Sequence, residues 1–185
     1  MKRATTITNT TTMQLTTDEE QRYVELQMMA LDFARDGETD TLASMLYSGL
    51  AVNLEDARGN TLLMLAAYHG NLDTARLLLE NGADPERKNA RGQTPLAGVA
   101  FKGHVEMARL LIEYGANAST PCRGGQTPIQ FAALFGHRDM CELLLEKGAY
   151  AGRHRIWGLS NIFIVRISSA IRSFLRMIAK PFKEA

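Results

Sequence analysis

The chain of 185 residues is 45% hydrophobic and 22% charged, which suits one globular domain with tails and excludes a wholly disordered chain. Its net charge of +1 hides a split: residues 1–150 carry 14 Lys/Arg against 19 Asp/Glu, a balance of −5, whereas residues 151–185 carry 7 against Glu184 alone, a balance of +6. Two cysteines are too few for a disulfide framework, so a reducing, cytoplasmic setting is the expectation.

Residues 1–17 open with Met1-Lys2-Arg3 and continue through Thr5, Thr6, Thr8, Thr10, Thr11 and Thr12, without the apolar core of a secretory signal. So little apolar surface predicts a disordered segment. Thr17-Asp18-Glu19-Glu20 has the form of a capping box. Tyr23, Leu26, Met29, Ala30 and Phe33 then recur at helical spacing, which predicts a helix that buries this stripe as an N-terminal cap.

From Gly59 onward the chain repeats itself. Gly59-Asn60-Thr61-Leu62, Gly92-Gln93-Thr94-Pro95 and Gly125-Gln126-Thr127-Pro128 are spaced by 33 residues. The register persists through Gly70, Gly103 and Gly136, and through Gly82, Gly115 and Gly148. One step back, Gly37 and Gly49 mark a degenerate first repeat. The repeats run over about 22–58, 59–91, 92–124 and 125–151, within a repeat domain of 18–151.

Within each repeat the residue types predict two helices. Thr61, Thr94 and Thr127 are suited to accept a backbone N–H as N-caps, and Pro95 and Pro128 occupy a first helical position that needs no N–H. Gly70, Gly103 and Gly136 end the first helix. Leu77-Leu78-Leu79, Leu110-Leu111-Ile112 and Leu143-Leu144-Leu145 supply the apolar face of the second. Cys141 falls in that apolar run as a small hydrophobe, and Cys122 falls in a loop with no charged partner fixed beside it.

These motifs resemble the ankyrin repeat, a β-turn and two antiparallel helices in 33 residues. The resemblance covers about 22–151 and implies an all-α, elongated solenoid of about four repeats, followed by a C-terminal amphipathic helix. Met64, Ala97 and Gln130 stand where the family commonly has His, and Leu62 where it commonly has Pro. The usual hydrogen-bond network across repeats is therefore expected to be missing.

The resemblance also implies where a partner protein binds: the turn tips and the exposed ends of the first helices. Carried over by position, these are Arg58 and Asn60, Arg91 and Gln93, and Gln126 at the tips. On the helices they are Tyr68, His69, Phe101, Lys102, Leu134 and Phe135. Large apolar groups there, rimmed by Arg58, Arg91 and Lys102, have the composition of an interface core with a basic rim, which suits an acidic partner. The alternative is that the rings pack only against adjacent helices. Short proteins of this family point to a bacterial adaptor, an inhibitor or immunity partner, or a delivered effector.

Residues 152–185 leave the repeat. Phe163, Ile164, Ile167, Ile171, Phe174, Leu175 and Ile178 recur in steps of three and four, opposite Arg166, Arg176 and Lys180. Arg166, Arg172 and Arg176 interrupt the run too often for a membrane span. Three readings stay open: a lid on the last repeat, an anionic membrane contact aided by Trp157, or docking into a partner's groove.

Chemistry finds no foothold. The histidines at 69, 104, 137 and 154 lack metal-ligand spacing, and His104 and His137 hold one repeat position, as structural residues would. The glycines punctuate turns rather than form a phosphate loop. No catalysis, cofactor, metal, small-molecule substrate or specific nucleic-acid partner is expected, the last because the repeat body is acidic.

Overall fold

The computed structural model describes residues 17–149. The expected Thr-rich disorder of the N-terminus and the amphipathic tail with Trp157, Arg166, Arg172, Arg176 and Lys180 lie outside the described residues.

Eight helices follow one another: α1 (Thr17–Asp36), α2 (Thr39–Tyr47), α3 (Leu62–His69), α4 (Leu72–Glu80), α5 (Pro95–Lys102), α6 (Val105–Glu113), α7 (Pro128–Phe135) and α8 (Arg138–Glu146). They pair as four helical hairpins. The first helices α1, α3, α5 and α7 form one layer, and α2, α4, α6 and α8 form the other. The described residues are therefore an all-α repeat solenoid, with a single isolated bridge between Glu55 and Thr61 at the first turn tip.

Local chemistry sets the helix starts. The Thr61 hydroxyl accepts the Met64 N–H at 3.1 Å and the Thr94 hydroxyl accepts the Ala97 N–H at 3.3 Å. At α7 the Gln130 side-chain oxygen reaches back to the Thr127 N–H at 3.2 Å, the reciprocal arm of a capping box. Gln130, at the position where the family commonly has His, thus caps the start of its own helix.

The core runs the length of the stack without interruption. Leu62, Leu63, Ala66 and Ala67 from α3, Leu96, Val99 and Ala100 from α5, and Ile129 and Ala132 from α7 are buried between Leu78, Leu111 and Leu144 of the second helices. Alanines at the helix crossings let the axes approach. Cys141 is half-buried against this core.

One expectation is extended and a second is corrected. Hydrogen bonds do run between repeats, from side chains at positions other than 64, 97 and 130. Asn71 Nδ2 donates to the Ala34 and Arg35 carbonyls at the end of α1, at 3.2 and 2.8 Å. At the same repeat position, the His137 Nε2–H donates to the Phe101 carbonyl at 2.9 Å, and the His104 ring lies against Gly70. Asn71 and His137, each the residue before a second helix, thus bond carbonyls at the end of the preceding repeat's first helix. Gly103 shows why glycine is needed there: its φ is +81°, and a Cβ would sit 2.5 Å from the His137 ring.

The correction concerns α1. Ala30 and Ala34 are fully buried and Phe33 packs against the core, but Tyr23, Leu26 and Met29 are each 48% exposed. The reason is length. In the 33-residue register α3 corresponds to positions 29–36, so α1 extends about three turns beyond the part that α3 covers. The stripe continues after its packing partner has ended.

Candidate functional site

Three turn tips project from the stack with the same backbone plan. Asp56 N–H bonds to the Asn60 carbonyl at 3.0 Å, Asn89 N–H to Gln93 at 3.1 Å, and Cys122 N–H to Gln126 at 2.8 Å. In the first tip the Asp56 carboxylate also accepts the Arg58 N–H and Asn60 N–H, both at 2.8 Å, and Asn60 Nδ2 at 2.9 Å. In the second the Asn89 side-chain oxygen accepts the Arg91 and Gln93 N–H groups at 3.0 Å. The tips are tied together by Ala90 N–H to the Arg58 carbonyl at 2.9 Å and Asn89 Nδ2 to Asn60 Oδ1 at 2.9 Å.

These bonds fix the charge of the first tip. Desolvation pushes the Asp56 carboxyl upward, but the Asn60 side chain and backbone, the Arg58 N–H and the Arg58 charge together hold it below its ordinary value. Asp56 is therefore an anion spent on the turn's own amides. The ion pairs found among the described residues use Arg22, Arg35, Arg87, Arg109 and Arg138, and none involves Arg58 or Arg91.

Between the first two tips and the first helices lies a groove of about 600 Å³. Arg58, Asn60, Arg91 and Gln93 line its tip side, and Tyr68, His69 and Phe101 its helix side. Arg35, Asp56, Asn89 and Gly98 also line it and were not singled out from the sequence. Gly98 leaves the floor open: a Cβ there would meet the Tyr68 ring at 3.4 Å.

The rings form a ladder. Tyr68 and Phe101 stack with centroids 6.3 Å apart and planes 17° apart, and Phe135 meets Phe101 edge-on at 4.4 Å. Lys102 Nζ lies 4.8 Å from the Tyr68 centroid, a cation–π contact between repeats. The rings do pack on one another, yet Tyr68 and Phe101 keep more than a third of their surface open and Phe135 about half. Leu134, at the register position of Tyr68 and Phe101, is exposed outside the ring ladder and the groove. Gln126 also lies outside the groove, against Gly124 of its own tip.

Cys122 takes the place in the third tip that Asp56 and Asn89 hold in the others. It is buried, and desolvation pushes its thiol above the ordinary value against the smaller effects of the Thr94 backbone and Lys88. A loop cysteine open to reaction is therefore not what the fold presents. Among the described residues no cluster of three His, Cys, Asp or Glu side chains could hold a metal ion. Among them, too, no helix is long and apolar enough to cross a membrane.

Comparison with known proteins places this architecture. A family profile described as ankyrin repeats (3 copies) matches residues 81–154, and one described as ankyrin repeats (many copies) matches residues 45–98. The chain belongs to the ankyrin-repeat family, whose repeats serve in general as protein-binding modules. A putative ankyrin repeat protein of Pseudomonas aeruginosa is 49% identical over 39 residues, which is 21% of this chain and 23% of that protein's length. The similarity thus spans less than a quarter of the bacterial relative.

Proposed function

We propose that this chain is a non-catalytic adaptor that holds an acidic segment of a partner protein in the groove between its first two tips and its first helices. The observation that carries the reading is the pairing of two in-register arginines, Arg58 and Arg91, with the Tyr68–Phe101 stack across one groove. Arginine and aromatic side chains dominate binding energy where they are desolvated together. The surface is held in shape by tip-to-tip hydrogen bonds before any partner arrives, so association costs little ordering.

The test is affinity capture followed by titration of the captured partner. Arg58→Glu with Arg91→Glu leaves the ring packing intact and should weaken binding on the order of 100-fold. Tyr68→Ala with Phe101→Ala should weaken it comparably, with folding verified by circular dichroism. Full affinity in both folded variants would sink the groove as the binding site. Weaker association at higher salt is also expected, because the steering charges are exposed.

A further inference from the structure

Gly98 is a glycine for which the fold itself has no need. It lies in the interior of α5 without a left-handed φ, and its N–H bonds the Thr94 carbonyl at 3.3 Å. A glycine inside a helix costs stability relative to alanine. A Cβ added there would meet Tyr68 Cδ2 at 3.4 Å, an ordinary van der Waals contact, and no other described neighbour within 4 Å. Packing therefore leaves room for a side chain. The register equivalents, 33 residues before and after, are Leu65 and Phe131, which pack into or against the core.

The missing side chain leaves a notch in the helix side of the groove. Met64, Leu65 and Tyr68 of α3 and Pro95, Gly98 and Phe101 of α5 line that side, so a group entering beside Gly98 meets apolar neighbours. Arg58 and Arg91 line the same groove from two successive tips, and the ion pairs of the described residues use neither.

We infer that Gly98 determines the specificity of this groove: its notch receives one leucine-sized apolar side chain of the partner segment, flanked by acidic residues. This role rests on the acidic-segment reading of the groove and adds what the arginines do not choose. Charge alone accepts any acidic chain, whereas an apolar notch distinguishes chains by a single side chain. The size of the anchor follows from register, since Leu65 and Phe131 are what the other repeats carry at this position. An apolar anchor seated beside aromatic rings and arginines has the make-up of a binding hot spot.

Fluorescence anisotropy on the full chain tests this with two labelled peptides. One alternates Glu and Gly around a single central Leu; the other has Gly at the centre. The wild type should bind the Leu peptide about tenfold more tightly, through burial of one leucine side chain. Gly98→Leu, verified as folded by circular dichroism, should erase that preference and leave affinity for the Gly-centred peptide unchanged. Gly98→Ala, the milder change, should narrow the preference and raise the urea midpoint, because the helix gains an alanine. Equal binding of both peptides by the wild type overturns the inference. So does a preference that survives in folded Gly98→Leu, or a lower midpoint for Gly98→Ala. The charges are judged separately: Arg58→Glu with Arg91→Glu should weaken both peptides alike. Unchanged affinity for both would sink the acidic-segment reading without altering the leucine preference. If neither peptide binds the wild type at millimolar concentration, anchor and acidic segment fall together.

Discussion

The first two turn tips and the third share one backbone hydrogen-bond plan but differ in the residue at its centre. Asp56 and Asn89 each place a side-chain oxygen where two backbone N–H groups converge, while Cys122 puts a buried thiol at the equivalent place. The groove ends where the oxygen does: it is lined from the first and second tips and by nothing from the third. A 33-residue repeat fixes the path of the chain, then, but two positions set the third tip apart: Cys122 offers no oxygen to the tip amides, and Gly124 stands where the other tips have Arg58 and Arg91.

The largest expected effect comes from breaking the contact between the second and third tips. Gly92 has φ +70°, and a Cβ there would lie 2.8 Å from the Arg123 backbone nitrogen. Gly92→Ala should destabilise by roughly 3 kcal/mol, combining left-handed strain with a clash that backbone cannot relieve. Urea unfolding measures it; a loss under about 0.5 kcal/mol would mean that the third tip slides independently of the second.

Asp56→Ala removes the acceptor of three hydrogen bonds at a solvent-facing turn and should cost about 1 kcal/mol after screening. The wild type should show the matching acid dependence. The folded carboxyl sits below its ordinary 3.8, so its contribution is complete above about pH 4 and fades as pH falls through the lowered value. Asp56→Asn should flatten that part of the stability profile while keeping most of the turn.

Making the third tip like the second is a gain-of-stability test. Cys122→Asn offers an amide oxygen to the Gly124 and Gln126 N–H groups and should stabilise by about 0.5 kcal/mol, the modest net worth of a tip hydrogen bond. A lower urea midpoint would show instead that burial of the thiol outweighs the missing acceptor. The smallest effect is functional: Arg123→Glu, on the third tip, should change partner affinity less than threefold. A loss equal to that of the Arg58 and Arg91 reversals would merge all three tips into one binding surface.

Much of this architecture is legible in the amino-acid sequence. The 33-residue spacing specifies paired helices, their ends and the tips, because each recurring Thr, Pro and Gly answers a local backbone need. Arg58, Tyr68, Arg91 and Phe101 emerge as neighbours for the same reason, being equivalent in register. Register fails at the last repeat, where the ring that joins the ladder is Phe135 rather than the equivalent Leu134. Sequence periodicity also misreads Tyr23, Leu26 and Met29. It says which side of α1 can be buried, but a covering helix is a fact of neighbouring elements that periodicity does not contain. The shared task of Asn71 and His137 stays hidden because an amide and an imidazole look unrelated until both are seen reaching for carbonyls of the preceding repeat.

That backward reach gives synthesis a direction. The Arg35 carbonyl at the end of α1 waits for Asn71, 36 residues later in the chain, and the Phe101 carbonyl at the end of α5 waits for His137, also 36 residues later. As the chain leaves the ribosome at roughly 5–20 residues per second, the ends of α1 and α5 gain these partners only a few seconds after they appear. For these two helices the closing bonds can form only one repeat behind the emerging end.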